Sequence, residues 1–408
     1  MNTNIFEKRI CVIGLGYIGL PTAGILASSG YQVLGVDVNK NIVDLINKGE
    51  IHIYEPGLKE LIYEAVKQNK LSASVNPNYS DVFIIAVPTP LSKNNSNSYE
   101  PDISYVLKAV NAIAPFYKKG NLLILESTSP IGTTNLIEEI LSELCSIKIE
   151  NLMISYCPER VLPGNILHEL KNNNRVIGGI NDQSTNLAKE FYKTFCSGKL
   201  LTTSSKTAEM VKLTENSFRD VNIAFANELS IICEEEKIDV KELIKLSNYH
   251  PRVNILNPGC GVGGHCIAID PWFIASKYPK QSKLIRTARE VNDKKSLWVL
   301  QKIIDTATSI SKSQNRKILI GCYGITFKPD IDDTRESPAL FIVKKLDSLG
   351  YNIAIAEPNL QRYENLNLKS TKYVFKNSDL NVLLVAHAQF KEFDFRNKKV
   401  LDICGLLE

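Results

Sequence analysis

The run ICVIGLGYIGLP, residues 10 to 21, restricts what this chain can fold into more than any other stretch. An apolar segment of strand length, Arg9–Ile13, passes without a linker into glycines at 14, 16 and 19, and a helical pattern begins at once. Glycines at that spacing permit a tight turn, let backbone approach a pyrophosphate, and place its charge on a helix N-terminus. The next apolar run, QVLGVD, ends in Asp37, eighteen residues after Gly19. An acid there accepts hydrogen bonds from adenosine ribose hydroxyls and repels a 2′-phosphate, so NAD is expected rather than NADP. A glycine-rich turn without a ligand would need no acid at that place. AVPTP and ESTSP each follow another strand-like run, so Thr89 and Thr128 are candidates for the cofactor edge. On spacing alone they could equally be ordinary turn residues.

Short apolar runs alternate with helical patterns through the first half: Arg9–Ile13, Gln32–Val36, Val82–Val87, Leu122–Leu125, Leu152–Ser155 and Val176–Gly178 read as strands. Such alternation predicts a parallel sheet with helices on both faces. At about residue 204 the pattern changes. Ser205 to Glu236 contains neither Gly nor Pro and reads as one long helix, and a helical region follows that Pro251 to Pro271 interrupts. From Lys317 the alternation resumes: KILIGCYGI as strand, Pro338–Leu349 as helix, NIAIAEP, VLLVAHAQF and VLDIC as further strands. The expected class is therefore α/β, then helical, then α/β again. Ser92–Ser98 (SKNNSNS) reads as a flexible surface loop.

A net charge of +4 over 408 residues, without a long Lys/Arg run, gives no footprint for nucleic acid. Lys8-Arg9 before an apolar stretch imitates a signal peptide, but Gly14, Gly16 and Gly19 break that stretch, and no apolar run reaches membrane-spanning length. The nine cysteines are scattered, odd in number and without a CxxC pair, which points to free thiols and a reducing, cytoplasmic setting.

One cysteine stands apart. NPGCGVGGHC places Gly261, Gly263 and Gly264 just before Cys266, so a substrate could lie against bare backbone beside the sulfur. Asp270-Pro271 reads as an N-cap and a first-turn proline, putting a helix start close to the thiol, where its pKa would fall and its nucleophilicity rise. A buried structural cysteine is the plain alternative. Zinc held by Cys260, His265 and Cys266 fits no usual spacing and lacks a fourth ligand, so no metal is expected. On the long helix Lys212, Asn216 and Arg219 lie at i, i+4 and i+7, a polar stripe on a helix whose remaining girth carries Met210, Val211, Phe218, Val221 and Phe225. If that stripe is enclosed, the lysine can serve in proton transfer and the asparagine can donate to an oxyanion.

NAD combined with a thiol suggests alcohol to aldehyde to thioester to acid. Here the sequence resembles the UDP-glucose/GDP-mannose dehydrogenase family over essentially its whole length, through VIGLGYIGLPTA, GVDVN, GEIHIYEP, AVPTP, ILESTSPIGTT, YCPERVLPG, RVIGG, TAEMVKLTENSFRDVNIAFANELS, HPRVNIL, GVGGHCIAIDPWFIAS, LIRTAREVND and FKPDIDDTRESPA. The resemblance implies two Rossmann-like doubly wound domains joined by a central helical domain that forms a homodimer. It sets an NAD-binding domain at 1–203, a helical domain with the catalytic cysteine at 204–312, and a UDP-binding domain at 313–408. It further implies four-electron oxidation of a UDP-sugar at C6 with two NAD, and the pattern is nearest to members acting on UDP-N-acetyl-D-mannosamine.

The family's roles carry over by motif. Cys266 resembles the nucleophile, Lys212 and Asn216 the pair around the reacting oxygen, and Asp270 the acid that orders water or lysine. Glu159 resembles the residue assisting thioester hydrolysis, with Thr128 near the same water. Arg160, Val161, Lys212, Asn216, Arg219, His250, Arg252 and Gly263 resemble substrate contacts, His250 and Arg252 reaching across the dimer, and Phe327 and Lys328 the uridine and diphosphate grip. Gly14, Gly16, Tyr17, Ile18, Gly19, Asp37, Thr89, Thr128 and Arg335 resemble cofactor contacts. Three positions depart from the pattern: Cys260 for a usual proline, Ala386 for aspartate, and Cys404 for a basic residue that helps hold the nucleotide. The same chemistry on UDP-GlcNAc, UDP-GalNAc or UDP-glucose would use the same residues, because sugar stereochemistry is read by pocket shape. An inactive nucleotide-sugar-binding protein would not need the thiol, lysine and asparagine that are intact here.

Overall fold

The computed structural model describes residues 8–93, 99–162 and 164–407, which divide between Thr214 and Glu215 into two compact units. The first unit is built on an eight-stranded sheet. Its elements in order are β1 (Arg9–Ile13), α1 (Gly19–Ser28), β2 (Gln32–Val36), α2 (Lys40–Ile46), α3 (Leu58–Lys67), β3 (Leu71–Ser74), β4 (Val82–Ile85), β5 (Leu91–Lys93), β6 (Tyr99–Pro101), α4 (Ser104–Ile113), β7 (Leu122–Leu125), α5 (Thr133–Cys145), β8 (Met153–Tyr156), α6 (Ile166–Asn172), β9 (Arg175–Gly179), α7 (Asp182–Tyr192) and β10 (Leu200–Ser204). The strand order is β10-β9-β8-β7-β4-β1-β2-β3. β4 (VFII), β7 (LLIL) and β8 (MISY) are buried along their whole length, because helices cover both faces and leave no side to alternate toward water. One core layer joins α1, α3 and α7 to the sheet and the other α4 and α5.

The sheet departs from the all-parallel expectation at one edge: β9 pairs antiparallel with β8, and β10 runs parallel to β9. The two edge strands, β3 (LSAS) and β10 (LLTTS), carry too little apolar residue to be read as strands beforehand. Within Ser92–Ser98, residues 94–98 lie outside the described residues, while Leu91–Lys93 pairs antiparallel with Tyr99–Pro101 instead of forming loop.

A 32-residue helix, α8 (Ser205–Glu236), matches the Gly- and Pro-free run and stops where Lys237 takes φ +58°. The second unit adds α9 (Val240–Ser247), α10 (Asp270–Lys277), α11 (Lys283–Gln314), β11 (Ile320–Tyr323), α12 (Pro338–Ser348), β12 (Ile353–Ala356), β13 (Leu368–Lys369), α13 (Thr371–Asn377), β14 (Leu380–Leu383) and β15 (Val400–Asp402). Its five strands are all parallel, in the order β13-β12-β11-β14-β15. Val299, Ile303, Ala307 and Ile310 of α11 pack with α12 on one face of this sheet, and Val374, Phe390 and Phe395 cover the other. The strands are shorter than the runs KILIGCYGI, NIAIAEP and VLLVAHAQF suggested: the chain turns away from the sheet at the carboxyl ends, and Ala388–Glu392 is a short 3₁₀ turn.

Candidate active site

In the first unit the chain reverses direction across the sheet beside β1, which has β2 on one side and β4 on the other, and the crevice outside their carboxyl ends is the expected ligand position. Gly14 takes φ +91°, and a Cβ on it would stand 2.6 Å from the Ala86 carbonyl oxygen. A Cβ on Gly19 would stand 1.8 Å from the Gly14 oxygen, so the turn closes only with glycine at both places. Around Gly16 nothing lies within 4 Å of the same point, which leaves backbone open to a ligand. α1 starts after Ile18 with no side-chain cap and no acid in its first turn, so no carboxylate competes with an anion for the positive end of its dipole. Asp37 accepts from the Leu15 N–H (3.1 Å) and from the Asn39 N–H (2.9 Å), which holds its carboxylate beside the glycine turn. Bare backbone, uncapped helix and fixed carboxylate fit a pyrophosphate-bearing dinucleotide. Tyr17 is exposed, and Thr89 and Thr128 stand half-buried just past β4 and β7 at the same end of the sheet.

Beyond β8 lies a buried charge cluster that single residues in the sequence did not announce. Glu159 is paired with Arg175 of β9, and both are nearly inaccessible. Arg175 also donates to the Leu170 carbonyl (3.0 Å) and stacks over the Tyr192 ring at 4.7 Å. The Tyr192 hydroxyl donates to Glu126 (2.7 Å), whose other oxygen has no partner among the described residues. Burial and then the neighbouring Glu159 push Glu126 up to about 7, while Arg175 and Tyr192 pull it back. Lys212, at 9% exposure, donates to the Glu159 carbonyl oxygen (2.8 Å). Arg160, half-buried, donates to the Asn174 carbonyl, and Val161 packs on Ile166 and Leu170.

In the second unit Asn216, 7% exposed, donates to the Asp270 carboxylate at 2.5 Å. Asp270 is not the N-cap of α10 but its first residue. Ile269 occupies the cap in αR conformation without a side-chain bond, and the Cys266 carbonyl accepts from the Ile269 and Asp270 N–H groups (3.1 and 2.8 Å). The expected nearness of Cys266 to a helix start therefore holds, with the carboxylate turned to Asn216 instead of capping. Of the nine cysteines, all free, Cys266 alone is exposed. Burial pushes Cys11, Cys157, Cys260 and Cys322 up to about 12, so those thiols stay protonated at neutral pH. Cys260 lies in the second unit's core with its thiol donating to the Leu384 carbonyl (3.3 Å), and it adds no reactive sulfur to the loop. Among the described residues no group of three His, Cys, Asp or Glu could hold a metal ion.

The glycines before Cys266 are spent on contact. A Cβ on Gly263 would stand 2.6 Å from the Glu336 oxygen, and one on Gly264, at φ +78°, 2.8 Å from the Phe327 ring. The Gly264 N–H donates to the Arg335 carbonyl (3.1 Å), so the thiol loop lies against the segment carrying Phe327 and Arg335. Arg335 grips Asp333 through Nε (2.9 and 3.0 Å) and Nη2 (2.5 Å). Lys328 is exposed, as are His250 and Arg252 in the loop after α9. His387, fully buried after β14, accepts at Nδ1 from the Asp330 N–H (2.9 Å), so Nε2 carries the proton that faces Glu357 (3.1 Å). It secures the turn after β11, a role no single residue in VLLVAHAQF signals. Ala386 packs in the core on that side of the sheet, and Cys404, half-buried, lies beside Asp402 (3.7 Å).

The stripe on α8 divides. Lys212 and Asn216 are enclosed, whereas Arg219 is exposed, and the aromatic residues expected to enclose them point outward instead, Phe218 at 67% and Phe225 at 51% exposure.

Three domains of one family match the chain in order: the UDP-glucose/GDP-mannose dehydrogenase family NAD binding domain over residues 8–196, its central domain over 206–294, and its UDP binding domain over 321–408. The chain belongs to this family. It is an NAD-dependent oxidoreductase of UDP-sugars. It is 50% identical to a UDP-N-acetyl-D-mannosamine dehydrogenase of Campylobacter jejuni over 98% of this chain and 100% of that one. To an NDP-N-acetyl-D-galactosaminuronic acid dehydrogenase of Ralstonia nicotianae it is 45% identical, over 98% and 96% of the two chains. Among solved structures, a UDP-D-ManNAc dehydrogenase from Pyrococcus horikoshii superposes with a TM-score of 0.89 at 36% identity, covering 98% of this chain and 96% of that one. The family's NAD-binding domain contains the uncapped α1 and Asp37, and no described helix is long and apolar enough to cross a membrane.

Proposed function

We propose that this dehydrogenase oxidises UDP-N-acetyl-D-mannosamine at C6 to UDP-N-acetyl-D-mannosaminuronate, consuming two NAD⁺ and one water. The observation that carries the reaction type is the exposed Cys266 among eight less accessible thiols. The substrate rests on the 50% identity to a relative of that name. NAD, when bound, supplies the hydride acceptor, and the chain's own groups do the rest. Lys212 and Asn216 flank the reacting oxygen and steady its developing charge. The Cys266 sulfur adds to the aldehyde carbon, and the resulting hemithioacetal becomes a thioester at the second oxidation. Water opens the thioester with help from Glu159, while Thr128 and Asp270 orient that water or the lysine. Gly14, Gly16, Tyr17, Ile18, Gly19, Asp37, Thr89, Thr128 and Arg335 are assigned to the cofactor. Arg160, Val161, Arg219, His250, Arg252, Gly263, Phe327 and Lys328 are assigned to the nucleotide sugar. A planar guanidinium suits a diphosphate through paired donors.

The domains in this reading are 1–203, 204–312 and 313–408. Two copies pair through α8, where Phe218, Phe225 and Ile232 recur every seven residues and remain exposed. Nine cysteines, none of them in a disulfide, support a cytoplasmic setting. A second reading, the same chemistry on an N-acetylgalactosamine sugar, is favoured by the 45% identical relative. A panel of UDP-sugars with NAD decides between them. Two NADH per UDP-N-acetyl-D-mannosamine with little turnover of its C2 epimer is expected, whereas two NADH from UDP-N-acetyl-D-galactosamine alone would move the assignment to the second sugar.

A further inference from the structure

Asn216, Asp220 and Asn227 lie within about 40° of one another around α8 at 3.6 residues per turn. All three are buried in the second unit, and the stripe they form grips the thiol loop at both ends. Downstream, Asn216 holds Asp270, whose N–H donates to Cys266. Upstream, the Gly259 N–H donates to Asn227 Oδ1 (2.9 Å), Asn227 Nδ2 donates to Asn292 Oδ1 (2.8 Å), and Asn292 Nδ2 donates to Asp220 Oδ1 (2.8 Å). Asp220 in turn accepts from Arg289 (2.6 Å). A backbone N–H can only donate, so the first link orients the Asn227 amide, which orients Asn292, and the chain ends on the buried carboxylate in one direction only. Two contacts at the next residues fasten the same backbone to α11. Ser296 donates to the Cys260 carbonyl (2.9 Å), and a Cβ on Gly261 would stand 2.9 Å from both the Asn292 oxygen and Ser296 Oγ. Five buried groups thus serve three consecutive residues that lie five to seven positions before the exposed thiol.

We propose that Asn227 and Asn292, seconded by Ser296, are positioning residues for Cys266. Their one-way hydrogen-bond chain holds residues 259–261 and so sets where the sulfur meets the aldehyde carbon. The inference rests on reading Cys266 as the nucleophile. If the clamp is loosened, the first oxidation proceeds but the aldehyde escapes before the sulfur adds to it.

The test is Asn227→Ala and, because that variant removes two buried bonds, the milder Ser296→Ala. Each is assayed with UDP-N-acetyl-D-mannosamine, NAD and hydroxylamine, which condenses with free aldehyde to an oxime and water. The expected result is that NADH per acid formed rises above two, oxime accumulates, and acid formation slows by about 10–100-fold for Asn227→Ala and about 3–10-fold for Ser296→Ala. KM for NAD should stay within about threefold, a partition that general destabilisation would not produce. Should Asn227→Ala not fold, Ser296→Ala decides alone. Folded variants that release no oxime and form acid at the parent rate overturn the clamp. Cys266→Ser in parallel separates the two claims: unimpaired acid formation there refutes the nucleophile reading, and with it the need for a clamp, whereas loss of acid there with unaltered clamp variants refutes the clamp only.

Discussion

Glu126→Gln should make the first unit more stable at alkaline pH, although it removes a charge from a cluster containing an arginine. Glu126 lies at the end of the fully buried strand β7, among Glu159, Arg175, Tyr192 and Cys157, with one oxygen bonded to the Tyr192 hydroxyl and the other without a partner among the described residues. Burial, reinforced by Glu159, raises it from 4.5 to about 7. A group whose folded pKa is raised holds its proton longer in the folded chain, so its contribution to stability is complete below the unfolded value and is lost as pH climbs through the folded one. Each tenfold change in proton affinity corresponds to about 1.4 kcal/mol, so the rise amounts to roughly 3 kcal/mol lost by pH 8. Glutamine keeps the oxygen that Tyr192 uses and never ionises. At pH 5 the parent is mostly protonated, and the two proteins should agree within about 1 kcal/mol. At pH 8 the variant should gain about 2–3 kcal/mol on the parent relative to pH 5. Urea unfolding followed by far-UV circular dichroism at the two pH values measures this. An equal effect of the substitution at both pH values, or a loss at pH 8, would refute the argument.

Other outcomes follow from the same geometry. Asp37→Ala should weaken NAD binding by about 10–100-fold, as expected for loss of a charged hydrogen-bond acceptor, and unchanged affinity in calorimetric titration removes Asp37 from the ribose. Gly19→Ala forces a Cβ to 1.8 Å from the Gly14 oxygen, a backbone atom with no room to yield; NAD binding should vanish and the first unit should lose at least about 2 kcal/mol, read from thermal unfolding with and without NAD. Phe225→Glu sets a charge on the exposed α8 stripe and should convert the proposed dimer to monomers in light scattering; an unchanged mass would refute pairing through α8.

How far the sequence could be read depended on which forces left a local mark. β1, β2, β7 and α8 matched residue for residue, because an apolar run bounded by polar or glycine residues, or a long stretch without Gly or Pro, records local preference and burial together. β3 and β10 went unread for a common reason: they are the two edges of the sheet, half-covered, and their sequences LSAS and LLTTS lack the apolar signal. Strand direction leaves no trace at all, so the antiparallel β9 could not be foreseen. Near the candidate site, the glycine turn, the placing of Asp37 beside it and the nearness of Cys266 to a helix start were legible because each leaves a particular residue at a particular spacing. Asp270-Pro271 misled because aspartate before proline looks like a cap, whereas the backbone of Ile269 supplies the cap and the carboxylate answers to Asn216, 54 residues away. Arg175 lies in β9 while Glu126 and Glu159 follow β7 and β8, and a partnership of that kind exists only once the sheet has formed. The polar face of α8 and the enclosure of Lys212 and Asn216 were legible, but not that Arg219 and the phenylalanines face out.

Cys266→Ser with UDP-N-acetyl-D-mannosamine and excess NAD addresses the central claim most directly. The account predicts no uronate and at most one NADH per sugar, because nothing then captures the aldehyde for the second oxidation. Uronate formed at the parent rate, with two NADH per sugar, would contradict a cysteine-borne thioester.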